Sequence, residues 1–226
     1  MTIEASGSGR PSLPDRSGAG SRELEGVGCL GLVLAGGRSE RMGRSKALMA
    51  WGDGRMLDAC RQTLAESCAD VLVAGGQLGD LGLPPDRLIA DAVPGAGPLG
   101  AIVAGLTEAE RRGARGVLVL ACDMPLVTQA ELGPLLDALR VGADAALWRV
   151  DGVLQPLCAA YASTLASSAR RALERGSRRP VAVFSGAATD GRPWNVETFE
   201  ADQNSAVRLM NVNTPTDYDR AWRRCR

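Results

Sequence analysis

Arg38, Arg41, Arg44 and Lys46 follow directly on the glycine pair Gly36-Gly37, which ends an apolar run at residues 30–35. Adjacent glycines let backbone N–H groups approach an anion without interference from a Cβ, and the cations beyond them can neutralise its oxygens. That combination suits the polyphosphate of a nucleoside triphosphate. The competing reading is a tight strand-to-helix turn with a solvated basic face. Asp123 ends the run VLVLACDMP and Asp91 ends RLIAD. Ligands of parallel sheets bind beyond the carboxyl ends of the strands, which places both acids for function. A turn or N-cap aspartate is the alternative for Asp123. Two strand-end carboxylates near a cationic loop suit Mg²⁺, a hard ion that takes one or two carboxylates plus phosphate oxygens.

The rest of the composition narrows the chemistry. The chain contains no histidine, which removes Ser-His-Asp and Cys-His catalysis. Lys+Arg and Asp+Glu both number 26, so no global basic field points to nucleic acid or a membrane surface, and an anion site must be local. The six cysteines (Cys29, Cys60, Cys68, Cys122, Cys158 and Cys225) are scattered without a C-x-x-C and sit mostly in apolar runs. They read as small reduced core residues of a cytoplasmic protein.

Other glycine loops compete for the phosphate. A Walker A loop needs Gly-Lys-Ser/Thr, but Arg44 follows Gly43 and Lys46 comes three positions after it, so that motif is excluded. The segment GAGPLG at 95–100 satisfies G-x-G-x-x-G and opens a helix, as a dinucleotide-binding loop does. Against this, DAVP separates the glycines from the preceding strand, and the basic loop after Gly37 is left without a role. A nicotinamide-dependent oxidoreductase and a non-catalytic nucleotide-binding module remain as alternatives from other classes.

These residues need a scaffold. With 226 residues, 45% hydrophobic and 23% charged, the chain suits one domain with a sizeable core. Residues 1–28 are rich in Gly, Ser, Pro and charge and read as a disordered tail, followed by a domain over 29–226. No apolar run reaches the ~18 residues of a membrane span. Strands are expected at 30–35, 71–75, 87–91, 116–122 and 145–150. Between them Leu57, Cys60, Leu64 and Cys68 recur at helical spacing, as do Leu99, Ile102, Val103 and Leu106. Thr128 and Glu131 form a capping box for a helix over QAELGPLLDALR. Asp151-Gly152 marks a two-residue hairpin, so the α/β sheet is expected to be mostly parallel with a late antiparallel hairpin. A helix near 162–175 follows; LMNVN reads as a short strand, and a last helix begins near Pro215. Residues 176–206 have no clear pattern.

The segment LAGGRSERMGRSKAL resembles the L-A-G-G-x-S-x-R-M-G-x-x-K signature of small nucleotidyltransferases, and more narrowly the molybdenum cofactor guanylyltransferase family. That family adds an Asp before a G-P-L loop, a C-D-x-P strand end, a Q-P-L segment and N-V-N-T-P. This chain has Asp91 with Gly97-Pro98-Leu99, Cys122-Asp123-Met124-Pro125, Gln155-Pro156-Leu157 and Asn211-Val212-Asn213-Thr214-Pro215. The order is kept over nearly everything after residue 29. After the second strand, where family members can carry a nucleotide-contacting Asn, this chain has Ala74-Gly75-Gly76.

The resemblance implies a Rossmann-like three-layer nucleotidyltransferase fold. It also implies transfer of GMP from GTP to the terminal phosphate of molybdopterin or molybdenum cofactor, with release of pyrophosphate. By the same analogy Leu34, Ala35, Gly36 and Gly37 with Lys46 hold the nucleotide, Asp91 helps place the guanosine, and Asp123 carries Mg²⁺. Lys46 and Arg41 would offset charge growing on the pyrophosphate, while Arg178, Arg179, Asn211 and Asn213 would face the pterin phosphate. Molybdoenzymes or their chaperones are further partners the analogy raises. A cytidylyltransferase acting on the same cofactor is the nearest rival, but it tends to show L-A-A-G at the first loop and lacks the G-P-L and N-T-P motifs.

Overall fold

The computed structural model describes residues 28–36, 46–75, 78–184, 187–188 and 190–225. Gly37 and Arg41 therefore lie outside the described residues, as does residues 1–27 of the expected tail. Fifteen elements matter here: β1 (Cys29–Leu34), β2 (Ala50–Trp51), β3 (Gly54–Arg55), α1 (Met56–Ala65), β4 (Val71–Ala74), β5 (Leu88–Ile89), α2 (Pro98–Arg111), β6 (Gly116–Ala121), α3 (Gln129–Arg140), β7 (Ala145–Val150), β8 (Val153–Ala162), α4 (Ala166–Glu174), β9 (Val196–Glu200), α5 (Gln203–Arg208) and α6 (Pro215–Cys225).

The main sheet has seven strands in the order β5-β4-β1-β6-β8-β7-β9. Parallel pairing joins β5, β4, β1 and β6, while β8 runs antiparallel to both β6 and β7. β1 and β6 are buried at every position, as strands covered on both faces must be. Alternate residues feed opposite layers. Val33, Val73, Leu118 and Leu120 pack with Leu57, Cys60 and Leu64 of α1 and with Leu132, Leu135 and Leu139 of α3. Leu30, Leu32, Val117 and Val119 pack with Leu99, Ile102 and Leu106 of α2 and with Ala169 and Ala172 of α4. The result is the expected three-layer α/β arrangement with a mostly parallel sheet. Because α1 and α2 cover opposite faces, the chain reverses direction around β1, and in such sheets the ligand crevice lies beyond the carboxyl ends of the strands, here those of β4, β1 and β6.

Local signals explain several joins. Asp151 (φ 49°) and Gly152 (φ 78°) both lie in the left-handed region, giving the primed turn that links β7 to β8. Glu131, fully buried, completes the α3 capping box: its carboxylate accepts from the Thr128 N–H at 3.0 Å and the Thr128 hydroxyl at 2.8 Å. Its other oxygen receives Arg208, docking α5. Cys29, Cys60, Cys68, Cys122 and Cys158 are free and buried as expected, and Cys225 is free but exposed. Among the described residues no helix is long and apolar enough to cross a membrane.

The structure corrects some boundaries. β5 covers two residues and stops before Ala90, so Asp91 stands in the loop beyond the strand rather than at its end. The expected strand in LMNVN is absent. Val212 is buried but donates its N–H to the Asp123 carbonyl at 2.8 Å instead of joining a ladder. The open segment 176–206 contains a 3-10 turn over Pro180–Phe184, β9 parallel to β7, and the start of α5. β2 and β3 form a small separate hairpin before α1.

The β9 edge is secured by a buried carboxylate. Asp144, 3% exposed, accepts from Arg192 Nη2 at 2.8 Å, the Asn195 N–H at 2.9 Å and Thr164 Oγ1 at 3.2 Å. The Arg192 hydrogen bond is the main reason its pKa lies below the ordinary carboxylate value. The stabilisation is therefore complete above the unfolded pKa near ~3.9 and is lost as pH falls through the lower folded pKa. Asp144→Ala should cost about 2–3 kcal/mol at neutral pH and flatten the acid limb of the stability curve, as urea denaturation at several pH values would show.

Candidate functional site

The rim of the crevice is assembled from loops that each leave the sheet at the same end. Ala35 continues β1 and donates its N–H to the Ala74 carbonyl at 2.8 Å, which keeps Gly36 beside the end of β4. There Gly75 adopts φ +83°, and a Cβ on it would lie 3.1 Å from the Gly36 nitrogen and 3.6 Å from Asp91 Oδ1. The lack of a side chain at 75 thus lets the glycine turn, the β4 end and Asp91 meet. Asp91 also abuts the first turn of α2, where Gly100 passes its Cβ closely. Pro98 opens that helix after Gly97 at φ 68°, so GAGPLG serves as a helix entry held against Asp91.

Asp123 sits in the turn after β6, and Cys122 before it donates to the Leu34 carbonyl at 3.0 Å. This ties the acid to the end of β1. Lys46 Nζ donates to Asp123 Oδ2 at 3.2 Å and to Asn213 Oδ1 at 2.5 Å. Among the described residues, Asp123 Oδ1 and Asp91 Oδ1 are both buried without a hydrogen-bond partner. Burial raises the Asp91 pKa from its ordinary value, as expected for a carboxyl partly removed from water. A buried, unpartnered acceptor is costly, and functional groups awaiting a ligand are a recognised place to find one. The unpartnered Asp123 oxygen has the donor chemistry for a hard divalent cation; among the described residues no group of three or more acidic or sulfur ligands forms an all-protein cage.

The Q-P-L segment lies along the same edge. The β7–β8 register shifts between Leu147, paired with Ala159, and Trp148, paired with Gln155, so residues 156–158 form a bulge. Pro156 has no N–H to give a ladder, and its carbonyl instead accepts the Tyr161 hydroxyl at 2.8 Å. The bulge ends at Cys158, which pairs with Leu120 just before the Asp123 turn.

The expected residues are thus brought together unevenly. Leu34, Ala35, Gly36, Lys46, Asp91 and Asp123 share one end of the sheet. Asn213 meets Lys46 directly, and Asn211 stands partly buried two residues before it. Arg178 and Arg179 are exposed in the loop after α4, with hydrogen bonds to their neighbour Ser177. Gly75 was not expected as a site residue, although the small residues after the second strand were its visible signal. The anchor of Asn213 was also missed. Asp217 Oδ2 accepts from the N–H groups of Asn213 (3.1 Å) and Thr214 (2.9 Å), while Thr214 Oγ1 accepts from the Asp217 N–H. The Thr214-x-x-Asp217 spacing is a reciprocal helix cap that could have been read from the sequence.

The model of the MobA-like NTP transferase domain matches residues 31–188. The chain belongs to this family. This nucleotidyltransferase is 36% identical over 197 residues to a probable molybdenum cofactor guanylyltransferase of Chloroflexus aggregans, covering 83% of this chain and 90% of the relative. A relative of the same name from Opitutus terrae is 34% identical over 195 residues, with 86% and 95% covered. Its fold matches the crystal structure of molybdopterin-guanine dinucleotide biosynthesis protein A from Archaeoglobus fulgidus, with a TM-score of 0.68, 24% identity and coverage of 87% of this chain and 98% of that one.

The contact at Gly75 provides a direct test of the MobA-like site. Gly75→Ala places a side chain at positive φ against Gly36, and should cost about 1–2 kcal/mol. It should also raise the KM for the nucleoside triphosphate several-fold by displacing the β1 loop, as thermal melting and steady-state kinetics would report.

Proposed function

We propose that this enzyme transfers GMP from GTP to the terminal phosphate of molybdopterin or molybdenum cofactor. An acceptor phosphate oxygen bonds to the α-phosphorus of GTP, the α–β bridging bond breaks, and pyrophosphate leaves. The observation that carries the reading is the Lys46–Asp123 pair at the strand ends, with one Asp123 oxygen buried and unpartnered. The names of the relatives support the choice of substrates.

The residues suit the reaction without a general base. The acceptor phosphate is already an anion, so a chain without histidine loses nothing by lacking a base. The barrier lies in bringing two anions together and in the charge that grows on pyrophosphate. Asp123 would hold Mg²⁺, which supplies charge neutralisation at the phosphates when bound. Lys46 brings a cation to the triphosphate, and Arg41 adds another. The Leu34–Gly37 backbone cradles the phosphates, while the unpartnered Asp91 carboxyl oxygen accepts from the guanosine. Arg178, Arg179, Asn211 and Asn213 are assigned to the pterin phosphate side. The domain is residues 29–226, preceded by a tail that takes no part in catalysis. Because the Gly28 carbonyl accepts from the Arg115 N–H at 3.0 Å, a truncation that tests this should remove residues 1–27 only.

Pyrophosphate release by the purified enzyme with Mg²⁺ and molybdenum cofactor should occur with GTP and be at least about tenfold slower with CTP. Equal use of CTP would overturn the assignment of the base. Asp123→Ala should lower kcat/KM by about 10³-fold or more, and Lys46→Ala by about 10–100-fold, chiefly by weakening GTP use. Removal of residues 1–27 should leave both constants within about twofold.

A further inference from the structure

The family resemblance assigns Asn213 to the acceptor, yet its side-chain oxygen receives Lys46 Nζ at 2.5 Å, the shorter of the two contacts that ammonium makes with Asn213 and Asp123. Three contacts fix the backbone that carries that oxygen. The Asn213 N–H is tied to Asp217, Thr214 caps the same helix, and the Val212 N–H is bonded to the Asp123 carbonyl. Asn213 and Asp123 therefore sit at a set separation with Lys46 between them. On the lysine side, Lys46 opens a 3-10 turn that leads into the β2–β3 hairpin. Trp51 of that hairpin packs edge-on against Tyr218 and Trp222 of α6, and the Tyr218 hydroxyl donates to the Ala50 carbonyl at 2.6 Å. Both ends of the Lys46–Asn213 contact are thus fastened to α6.

A carboxylate that binds a divalent cation cannot also retain an ammonium group at no cost, because the two cations repel each other. An ammonium has three donors, and a neutral amide oxygen can keep it without competing for the metal. We propose that Asn213 is a positioning residue for Lys46. It shares the ammonium group with Asp123 when no metal is bound, and retains it at the rim when a divalent cation takes that carboxylate. This rests on the reading of Asp123 as the metal carboxylate and of Lys46 as the triphosphate contact. The Asn213 amide then serves the nucleotide half of the reaction through Lys46.

Mn²⁺ titration of the full chain without nucleotide, followed by the electron paramagnetic resonance of free Mn²⁺, tests this. Lys46→Met removes the competing cation and should tighten Mn²⁺ binding about three- to tenfold. Asn213→Ala leaves Lys46 with Asp123 as its partner of the two, and should weaken Mn²⁺ binding about threefold while lowering kcat/KM for GTP. In the Lys46→Met background both effects of Asn213→Ala should vanish, since they act through the ammonium. An undiminished Asn213→Ala effect in that background would mean that Asn213 acts on substrate directly, overturning the proposal and leaving the roles of Asp123 and Lys46 intact. Unchanged Mn²⁺ affinity in Lys46→Met would overturn it as well. Asp123→Asn separates the two levels: loss of Mn²⁺ binding is required, and full retention would overturn the metal reading together with the proposal.

Discussion

A carboxylate in the turn just beyond a wholly apolar strand has to be compensated by something, and the upper rim of this protein is organised around that requirement at Asp123. β6 brings the acid out of the core with every one of its residues buried. One carboxyl oxygen then faces Lys46, and the other is buried with no donor among the described residues. A purely structural acid would have recruited a second donor, as Asp144 does from Arg192, Asn195 and Thr164. Asp144 has both carboxyl oxygens engaged and serves stability, whereas Asp123 keeps one oxygen without a donor among the described residues.

The topology makes this arrangement possible. Parallel strands β4, β1 and β6 deliver their carboxyl ends side by side, and the crossovers on opposite faces leave the space above them open. The loops at these strand ends are drawn together by backbone approach. Gly75 lets Gly36 and Asp91 crowd the end of β4, and Cys122 bonds back to Leu34 across the β1–β6 gap. The described part of this rim therefore presents the Gly36 backbone beside Gly75, with the carboxylates of Asp91 and Asp123 in the neighbouring loops.

How much of this could be read from the sequence depended on whether the signal was local. β1, β6 and β7 were legible because strands covered on both faces are continuous apolar runs. The Asp151-Gly152 turn and the Thr128–Glu131 cap were legible because their chemistry is confined to a few residues. β9 was not: VETFE is an edge strand with mostly exposed side chains, and its pairing with β7 is a tertiary event. LMNVN looked like a strand because Leu209 and Val212 are core residues, but one ladder donor is used on Asp123 instead. Arg41 and Gly37 lie outside the described residues, so the cationic loop that first suggested a triphosphate is carried here by Lys46 alone.

The C-terminal segment links these levels. Residues 209–217 give two side chains to the core or its edge, one N–H to the Asp123 turn, one amide oxygen to Lys46 and a cap to α6. No one of these contacts exceeds an ordinary hydrogen bond or packing interaction, each contributing on the order of 1 kcal/mol. Their effect is geometric. They join the Lys46 turn to the Asp123 turn through a helix that lies on neither strand, so the separation of cation and carboxylate is set by α6 as well as by the sheet. A loosening of the Trp51–Tyr218–Trp222 packing would consequently be felt at Lys46 before it was felt in the central strands, since the latter have both faces filled independently of that cluster.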